Sequence, residues 1–213
     1  MIENIKVFIK RRKLILVAIW FVVYMALFVF LEVRPHKKVH LVHSKLDDKI
    51  PHVPQFIYPY LSWFPYIIVC VFLALKNLSD EDYKKALTVL STGMNLFILI
   101  AYIWPTGLDF RDSITYNSEK LSGRLMKFVQ TVDTPQSVFP SMHAYVTMVF
   151  QGTLEMQAGQ LPRAGILFGR VLSVSITAST VFTKQHSILD VIASVALYGT
   201  LETAYSFSQK KEK

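Results

Sequence analysis

The chain has 213 residues, of which 52 % are hydrophobic and 18 % are charged, and its formal net charge is +8. Its single cysteine, Cys70, excludes an intrachain disulfide and a cysteine-based metal site. The cations flank long stretches nearly free of charge, and neither a zinc-finger spacing nor an RNA-binding signature is present. This pattern excludes a nucleic-acid partner and favours contact with the headgroups of membrane lipids.

Six stretches of the chain are apolar over about the 20 residues that a helix needs to cross a hydrocarbon core roughly 30 Å thick. Because lipid cannot satisfy backbone N–H and C=O groups, we expect these stretches to be helices. The predicted spans are residues 14–33, 56–75, 86–105, 138–156, 165–183 and 187–207. The sequence therefore predicts an all-α, polytopic membrane protein, a six-transmembrane-helix bundle that forms a single domain over residues 1–213.

The first apolar stretch follows a basic N-terminus. Residues 1–13 resemble the start of a signal peptide, but the apolar core of a signal peptide has only about 7–15 residues. Residues 14–33 are longer than that, and no small-residue cleavage site follows them. We expect a retained first helix whose basic flank stays in the cytoplasm, and an even number of spans then places both termini there. Without a targeting segment, a bacterial plasma membrane is the simplest expectation.

The connections between the spans differ in character. Residues 34–55 are polar and rich in histidine, residues 76–85 are predicted to form a short charged turn, and residues 106–137 make the longest loop. The histidines of the first loop are His36, His40, His43 and His52. Their spacing is irregular and no clear set of carboxylates joins them, so we expect no metal site there and no cofactor.

Two further histidines each lie where an apolar span meets a polar loop. His186 and Asp190 are spaced i, i+4, which places them on one face of a helix. The carboxylate can accept the proton of one imidazole nitrogen and leave the other nitrogen as a nucleophile. The alternative is a structural pair that only ties two helices together, but an ionisable residue inside a span favours a functional role.

The other histidine begins the fourth span, in the segment Pro140-Ser141-Met142-His143. Proline is favoured in the first turn of a helix, and a helix start offers backbone N–H groups and the positive end of the dipole to an anion. The Ser141 hydroxyl adds a donor, and His143 can supply a proton to a leaving group. The alternative is an ordinary helix cap beside an interfacial histidine.

Two cations lie near these segments. Lys184 precedes His186 by two residues, and Arg111 follows the third span. Each can hold a phosphate, and an arginine can do so with two parallel hydrogen bonds. The alternative for both is a cation that extends to the lipid headgroups. Asp109 or Asp112 can also neutralise Arg111.

On these residues the chain resembles the type 2 phosphatidic acid phosphatase superfamily, which comprises six-span lipid phosphatases and phosphotransferases. Pro140-Ser141-Met142-His143 matches the family's Pro-Ser-x-His, and His186-x-x-x-Asp190 matches the His and Asp of its last signature. Two spans separate these segments, so both histidines are expected at one membrane face, as in the family.

The sequence departs from the family at the phosphate contacts. The family's Ser-Arg pair before the last histidine is here Ser179-Thr180, and Lys184-Gln185-His186 resembles the branch related to inositol-phosphoceramide synthases. The first family signature, Lys-x6-Arg-Pro, is degenerate, because Trp104 stands at the position of its Lys and no proline follows Arg111.

The resemblance implies phosphoryl transfer without a metal. His186 attacks phosphorus and forms a phosphohistidine, Asp190 orients His186, and His143 protonates the departing oxygen. The implied contacts to the phosphoryl oxygens are Ser141, Lys184 and Arg111. Such a site acts by positioning and electrostatics.

We therefore predict a membrane enzyme that removes phosphate from a lipid phosphate or a polyprenyl diphosphate at the outer membrane face, with its substrate and membrane lipids as partners. A phosphotransferase that moves a phospho-headgroup between lipids is the first alternative, because only the acceptor differs. A non-catalytic lipid-phosphate binder is the second, and Thr180 in place of the family's Arg would suit it.

Overall fold

The structure, a computed structural model, describes residues 2–34, 38–111 and 114–211, with side chains from position 14 to position 210. Within these ranges the chain is mostly helical. The α-helices are α1 (Ile2–Val33), α2 (Lys45–Lys49), α3 (Ile57–Leu61), α4 (Trp63–Asn77), α5 (Asp80–Ile103), α6 (Leu121–Val132), α7 (Met142–Met156), α8 (Arg163–Phe182) and α9 (Ile188–Lys211). The short strands β1 (His40–Leu41) and β2 (Thr106–Gly107) pair in parallel.

Five helical segments of the described chain are long and apolar enough to cross a bilayer. They are Leu14–Val33, Pro54–Asn77, Asp80–Ile103, Arg163–Phe182 and Ile188–Lys210. These segments leave large apolar side chains such as Ile68 and Phe168 exposed on the outside of the bundle, where lipid would surround them. The predicted all-α, multi-pass membrane architecture is confirmed.

Helix α7 differs from these five helices and occupies the centre of the bundle. It packs against α4, α5, α8 and α9, and it is buried on most of its circumference, as expected for an interior helix. Its 15 residues extend only about 22 Å at 1.5 Å per residue. The predicted fourth span, 138–156, is therefore a short helix that its neighbours largely shield from lipid, and a count of six full-length spans is not confirmed.

Helix α5 starts earlier than the sequence predicts. The hydroxyl of Ser79 accepts a hydrogen bond from the backbone N–H of Asp82 at 3.1 Å and caps the helix. Acidic residues fill the first turn from Asp80 onward, where negative charge interacts favourably with the helix dipole. The predicted charged turn over residues 76–85 is wrong over most of its length, because the connection between α4 and α5 is limited to residues 78–79.

The connections at one end of the bundle are folded against each other. β1 and β2 join the first loop to the residues that follow α5, and α6 lies within the long loop and packs on α3. We refer to this end, residues 38–56, 104–111, 114–141 and 183–187, as the histidine end. At the opposite end, Asn77 Nδ2 donates to Gln157 Oε1 at 2.9 Å and joins two turns.

Candidate active site

The turn between α8 and α9 presents His186. Lys184 adopts the left-handed conformation, with a φ of 59°, which is common just after the end of a helix. The backbone N–H groups of Gln185 and His186 both donate to the carbonyl oxygen of Thr180, at 2.9 and 3.0 Å. These bonds satisfy a carbonyl at the end of α8 and fix the turn that carries the imidazole.

His186 meets Asp190 across one turn of the chain. Nδ1 of His186 lies 3.3 Å from Oδ2 of Asp190, and the same oxygen accepts the backbone N–H of Ser187 at 2.8 Å. Asp190 is fully buried. When Nδ1 carries the proton that faces this carboxylate, Nε2 has a lone pair and can act as a nucleophile.

His143 lies on the first turn of α7, close to His186. The centroids of the two imidazole rings are 5.9 Å apart. The His143 ring lies against Tyr60, at 4.8 Å between centroids, and against Trp63, at 4.6 Å. One group of a substrate can therefore contact both imidazoles. No sequence pattern indicates the two aromatic neighbours, because α3 and α4 meet α7 only in the folded bundle.

Ser141 caps α7 and is fully buried. Its hydroxyl accepts the backbone N–H of Ala144 at 3.3 Å, and its own N–H donates to the carbonyl oxygen of Asp190 at 3.1 Å. The Ser194 hydroxyl lies within hydrogen-bond distance of the carbonyl oxygens of both Ser141 and Asp190, at 2.8 and 2.7 Å. The start of α7 is thus joined directly to α9, which brings the two predicted motifs together.

Lys184 ties the turn to the first loop. Its Nζ donates to the backbone oxygens of Asp47, at 2.5 Å, and Ile50, at 2.6 Å. Burial lowers the pKa of Lys184, and the nearby carboxylates of Asp47 and Asp48 oppose this shift. An ammonium group has three N–H donors, so the predicted phosphate contact of Lys184, which stays a prediction, would use the third.

Arg111 is buried at the histidine end, where it is 3 % exposed. Its Nη2 donates to the backbone oxygen of Asp133, and the Tyr60 hydroxyl donates to Oδ2 of Asp133 at 3.3 Å. Because Tyr60 also contacts His143, Arg111 is linked to the site through two intervening residues. Its phosphate contact likewise stays a prediction.

His43 bonds Asp109, which the sequence offers as a possible partner of Arg111. Nδ1 of His43 lies 3.0 Å from Asp109 Oδ1, and Nε2 lies 2.8 Å from Asp48 Oδ1. These hydrogen bonds raise the pKa of His43, with Asp109 as the larger cause. The first loop is thereby held to the residues after β2. Asp112, the other predicted partner of Arg111, lies outside the described residues.

The remaining histidines of the first loop contact aromatic rings. His40 lies 5.6 Å from Trp104 and His52 lies 6.1 Å from Tyr116, measured between centroids, while His36 lies outside the described residues. Among the residues that the structure describes, no three His, Cys, Asp or Glu side chains form a group that could hold a metal ion.

Asp47 is a residue of the site region that the sequence analysis misses. It is 2 % exposed, although it lies in a polar loop. Its Oδ2 accepts the Ser44 backbone N–H at 2.8 Å and the Ser187 hydroxyl at 2.6 Å, and its Oδ1 accepts the Ile188 backbone N–H at 2.8 Å. The Ser-x-x-Asp spacing indicates a capping box on α2, but nothing local indicates the contact with the start of α9.

Several buried polar atoms near the histidines bond nothing in the described part of the chain. They are Trp63 Nε1, both amide atoms of Gln185 and Oδ1 of Asp190. Buried polar groups in proteins are nearly always hydrogen-bonded.

A comparison with protein families supports the family resemblance of the two histidine motifs. The sequence profile of the PAP2 superfamily matches residues 39–201, which include both histidine segments and Asp190. No curated protein and no solved structure compared with the chain matches it. The resemblance to the branch of inositol-phosphoceramide synthases stays a prediction.

The PAP2 superfamily generally contains phosphatases and phosphotransferases, and membership indicates a lipid phosphatase-type function in a multi-pass membrane protein. The match extends over more than half of the chain, and it includes the helices that bring His143 and His186 together. The protein therefore belongs to the PAP2 superfamily.

Proposed function

We propose that the protein is a membrane lipid phosphatase that hydrolyses a lipid phosphate or a polyprenyl diphosphate through a phosphohistidine intermediate. The observation that carries this proposal is the arrangement of His143, His186 and Asp190. Two imidazole rings whose centroids lie 5.9 Å apart are close enough for both to contact one phosphoryl group. The buried carboxylate behind His186 suits a role in holding one tautomer and stabilising the charged ring.

The proposed reaction has two steps. In the first, Nε2 of His186 attacks phosphorus, the bond between phosphorus and the lipid oxygen breaks, and His143 donates a proton to that oxygen. In the second, water attacks the phosphohistidine, one water proton passes to His143, and the phosphorus–nitrogen bond breaks. Inorganic phosphate leaves, and both histidines return to their starting protonation states.

The charge on the transferred group requires hydrogen-bond donors. Ser141 and the start of α7 adjoin His143, so we propose that they contribute most among the predicted contacts. Lys184 and Arg111 already donate to backbone oxygens. We propose that the N–H groups of these two side chains that are not used in those bonds donate to the phosphoryl oxygens. The unpaired Trp63 Nε1 supports a further contact beside His143.

We propose that the histidine end faces the outside of a plasma membrane and that both termini are cytoplasmic. The support is the basic segment at residues 1–13 before the first span, since positive charge is retained on the cytoplasmic side. A substrate phosphate would then be hydrolysed in the outer leaflet.

The test is phosphate release by the purified protein in detergent with EDTA. The panel contains phosphatidate, phosphatidylglycerophosphate and a polyprenyl diphosphate, and His186→Ala is measured beside the parent. We expect release by the parent from at least one lipid and a loss of more than about 10³-fold in the variant, because the nucleophile is essential. Metal independence requires that EDTA leave the rate unchanged.

The contrary outcome is also informative. A folded parent that releases no phosphate from any lipid would exclude the phosphatase and leave the phosphotransferase, which would form a new lipid only when an alcohol acceptor is added. The segment Lys184-Gln185-His186 favours this second candidate, through its resemblance to the synthase branch. Binding of the lipid phosphate with neither reaction would identify a non-catalytic binder.

A further inference from the structure

Helix α6 has a surface whose function the active site does not explain. It lies in the long loop at the histidine end and packs on α3. One face belongs to the core, because Met126 is fully buried and Val129 is 7 % exposed. Both contribute to a cluster with Ile57 and Tyr60. This face fixes the helix beside a segment that spans the membrane.

A second face of α6 is apolar but exposed. Leu121, Phe128 and Val132 are 53 %, 62 % and 68 % exposed, respectively. Their spacings of seven and four residues place them in one stripe along the helix. Leu125 lies between them at the edge of the stripe, where it is half-buried against the core cluster. We refer to these four residues as the apolar stripe. A stripe of large apolar side chains on a connecting helix is unfavourable in water.

A third face of α6 is basic. Arg124 and Lys127 within the helix and Lys120 at its N-cap are all exposed. The three-residue spacing of Arg124 and Lys127 places them on one side of the helix, next to the apolar stripe. The sequence from Lys120 to Val132 contains no acidic residue. Cations beside exposed apolar side chains are typical of helices that lie in the interface of a membrane.

We propose that α6 is an interfacial anchor that inserts its apolar stripe at the boundary between headgroups and acyl chains of a bilayer with anionic lipids. The basic face supplies complementary charge for the headgroups. The core face holds the helix against α3, which is part of the segment Pro54–Asn77 that is long and apolar enough to cross a bilayer, so the stripe lies beside a candidate span. Because Tyr60 contacts both this cluster and His143, the anchor places the bilayer surface beside the site. The inference depends on the membrane location alone and not on catalytic activity.

The test measures the surroundings of each face in the full-length protein by site-directed spin labelling. Single cysteines are introduced in a Cys70→Ala background, and the protein is placed in vesicles of phosphatidylcholine and phosphatidylglycerol. The stripe positions are Leu121→Cys, Phe128→Cys and Val132→Cys, and the matched positions on the basic face are Arg124→Cys and Lys127→Cys. We expect the ratio of oxygen to nickel-complex accessibility to be several-fold higher at the stripe positions.

Two outcomes would overturn the proposal. High accessibility to the nickel complex at position 128 would place the stripe in water, and low accessibility to both reagents would place it against protein, such as a second copy of the chain.

The charge is tested separately with Lys120→Gln, Arg124→Gln and Lys127→Gln combined. The label at position 128 should lie deeper in mixed vesicles than in pure phosphatidylcholine, and the combined variant should lose this difference. An equal depth in both lipids for the parent would refute the charge component.

Discussion

Asp47 connects the first loop to the turn that carries His186, through its bonds to the Ser187 hydroxyl and the Ile188 backbone N–H. Both carboxylate oxygens accept hydrogen bonds from α9 or the residue before it. The start of a helix also favours a negative charge through its dipole. Asp47 and Asp190 therefore both hold the turn at Ser187, which makes Asp47 a positioning residue for the nucleophile in the proposed reaction.

We predict that Asp47→Asn lowers kcat about 10- to 100-fold with little change in KM, because an amide cannot accept from both donors and a small displacement of a nucleophile has a large effect. The measurement is steady-state kinetics normalised to the amount of folded protein recovered by size-exclusion chromatography, so that loss of folded protein does not contribute. Asp48→Asn is the matched control, since the Asp48 side chain is 63 % exposed and pairs with His43.

Ser187→Ala provides a second readout, because it removes the same hydrogen bond from the other partner. If Asp47 acts through Ser187, the double variant will lose less activity than the product of the two single effects. If the parent is active and Asp47→Asn has the same kinetics, Asp47 has no positioning role. The proposed reaction at His186 and His143 would not be affected by that result.

At the scale of the element, α7 is held by close contact with its neighbours. The Tyr145 ring lies so near Gly93 on α5 that an added Cβ would be 2.1 Å from its Cζ. The ring cannot easily retreat, because its hydroxyl donates to the carbonyl oxygen of Val89. Small residues that let helices approach closely are common where helices pack in membranes.

We predict that Gly93→Ala destabilises the protein by about 1–3 kcal/mol, the usual effect of overpacking a well-filled core. Gly199→Ala on α9 is the control, because an added Cβ there meets no atom within 4 Å. Thermal unfolding in detergent, followed by circular dichroism, compares the two variants. An unchanged midpoint for Gly93→Ala would mean that α5 and α7 are packed less tightly than the structure describes.

The elements differ in how far the sequence predicts them. The long spans are predictable, since continuous hydropathy reports lipid contact directly. Helix α6 is not predictable in this way. Its 12 residues divide their apolar positions between a core face and an exposed stripe, so they form no continuous apolar segment. Helix α7 is predicted as a span but is shorter, because hydropathy does not distinguish a helix surrounded by lipid from one surrounded by other helices.

At the scale of the whole molecule, the candidate site likewise contains some contacts that the sequence predicts and others that it does not. The pairing of His186 with Asp190 is predictable because it depends on spacing within four residues, and the approach of His143 follows from counting the spans between the motifs. The contacts of Tyr60 and Asp47 are not predictable from one sequence, because each joins segments more than 80 residues apart in the chain, at His143 and at Ser187.

The whole molecule also has a predicted orientation. In a Cys70→Ala background, we expect Thr115→Cys at the histidine end to react with a membrane-impermeant maleimide in intact cells. Gly159→Cys, an exposed position in the turn at the opposite end, should react only after permeabilisation. The reverse pattern would place the site in the cytoplasm and would direct the search for a substrate to the inner leaflet.

The short, enclosed helix α7 has a consequence for biogenesis. A segment of 15 residues that has a histidine in its first turn and a serine as its cap is a weak signal for insertion by a translocon, which favours long apolar segments. We expect α7 to remain near the translocon until α8 and α9 have been synthesised, and then to enter the bilayer with them against α4 and α5. Assembly of the histidine pair would then be among the last events in the synthesis of the protein.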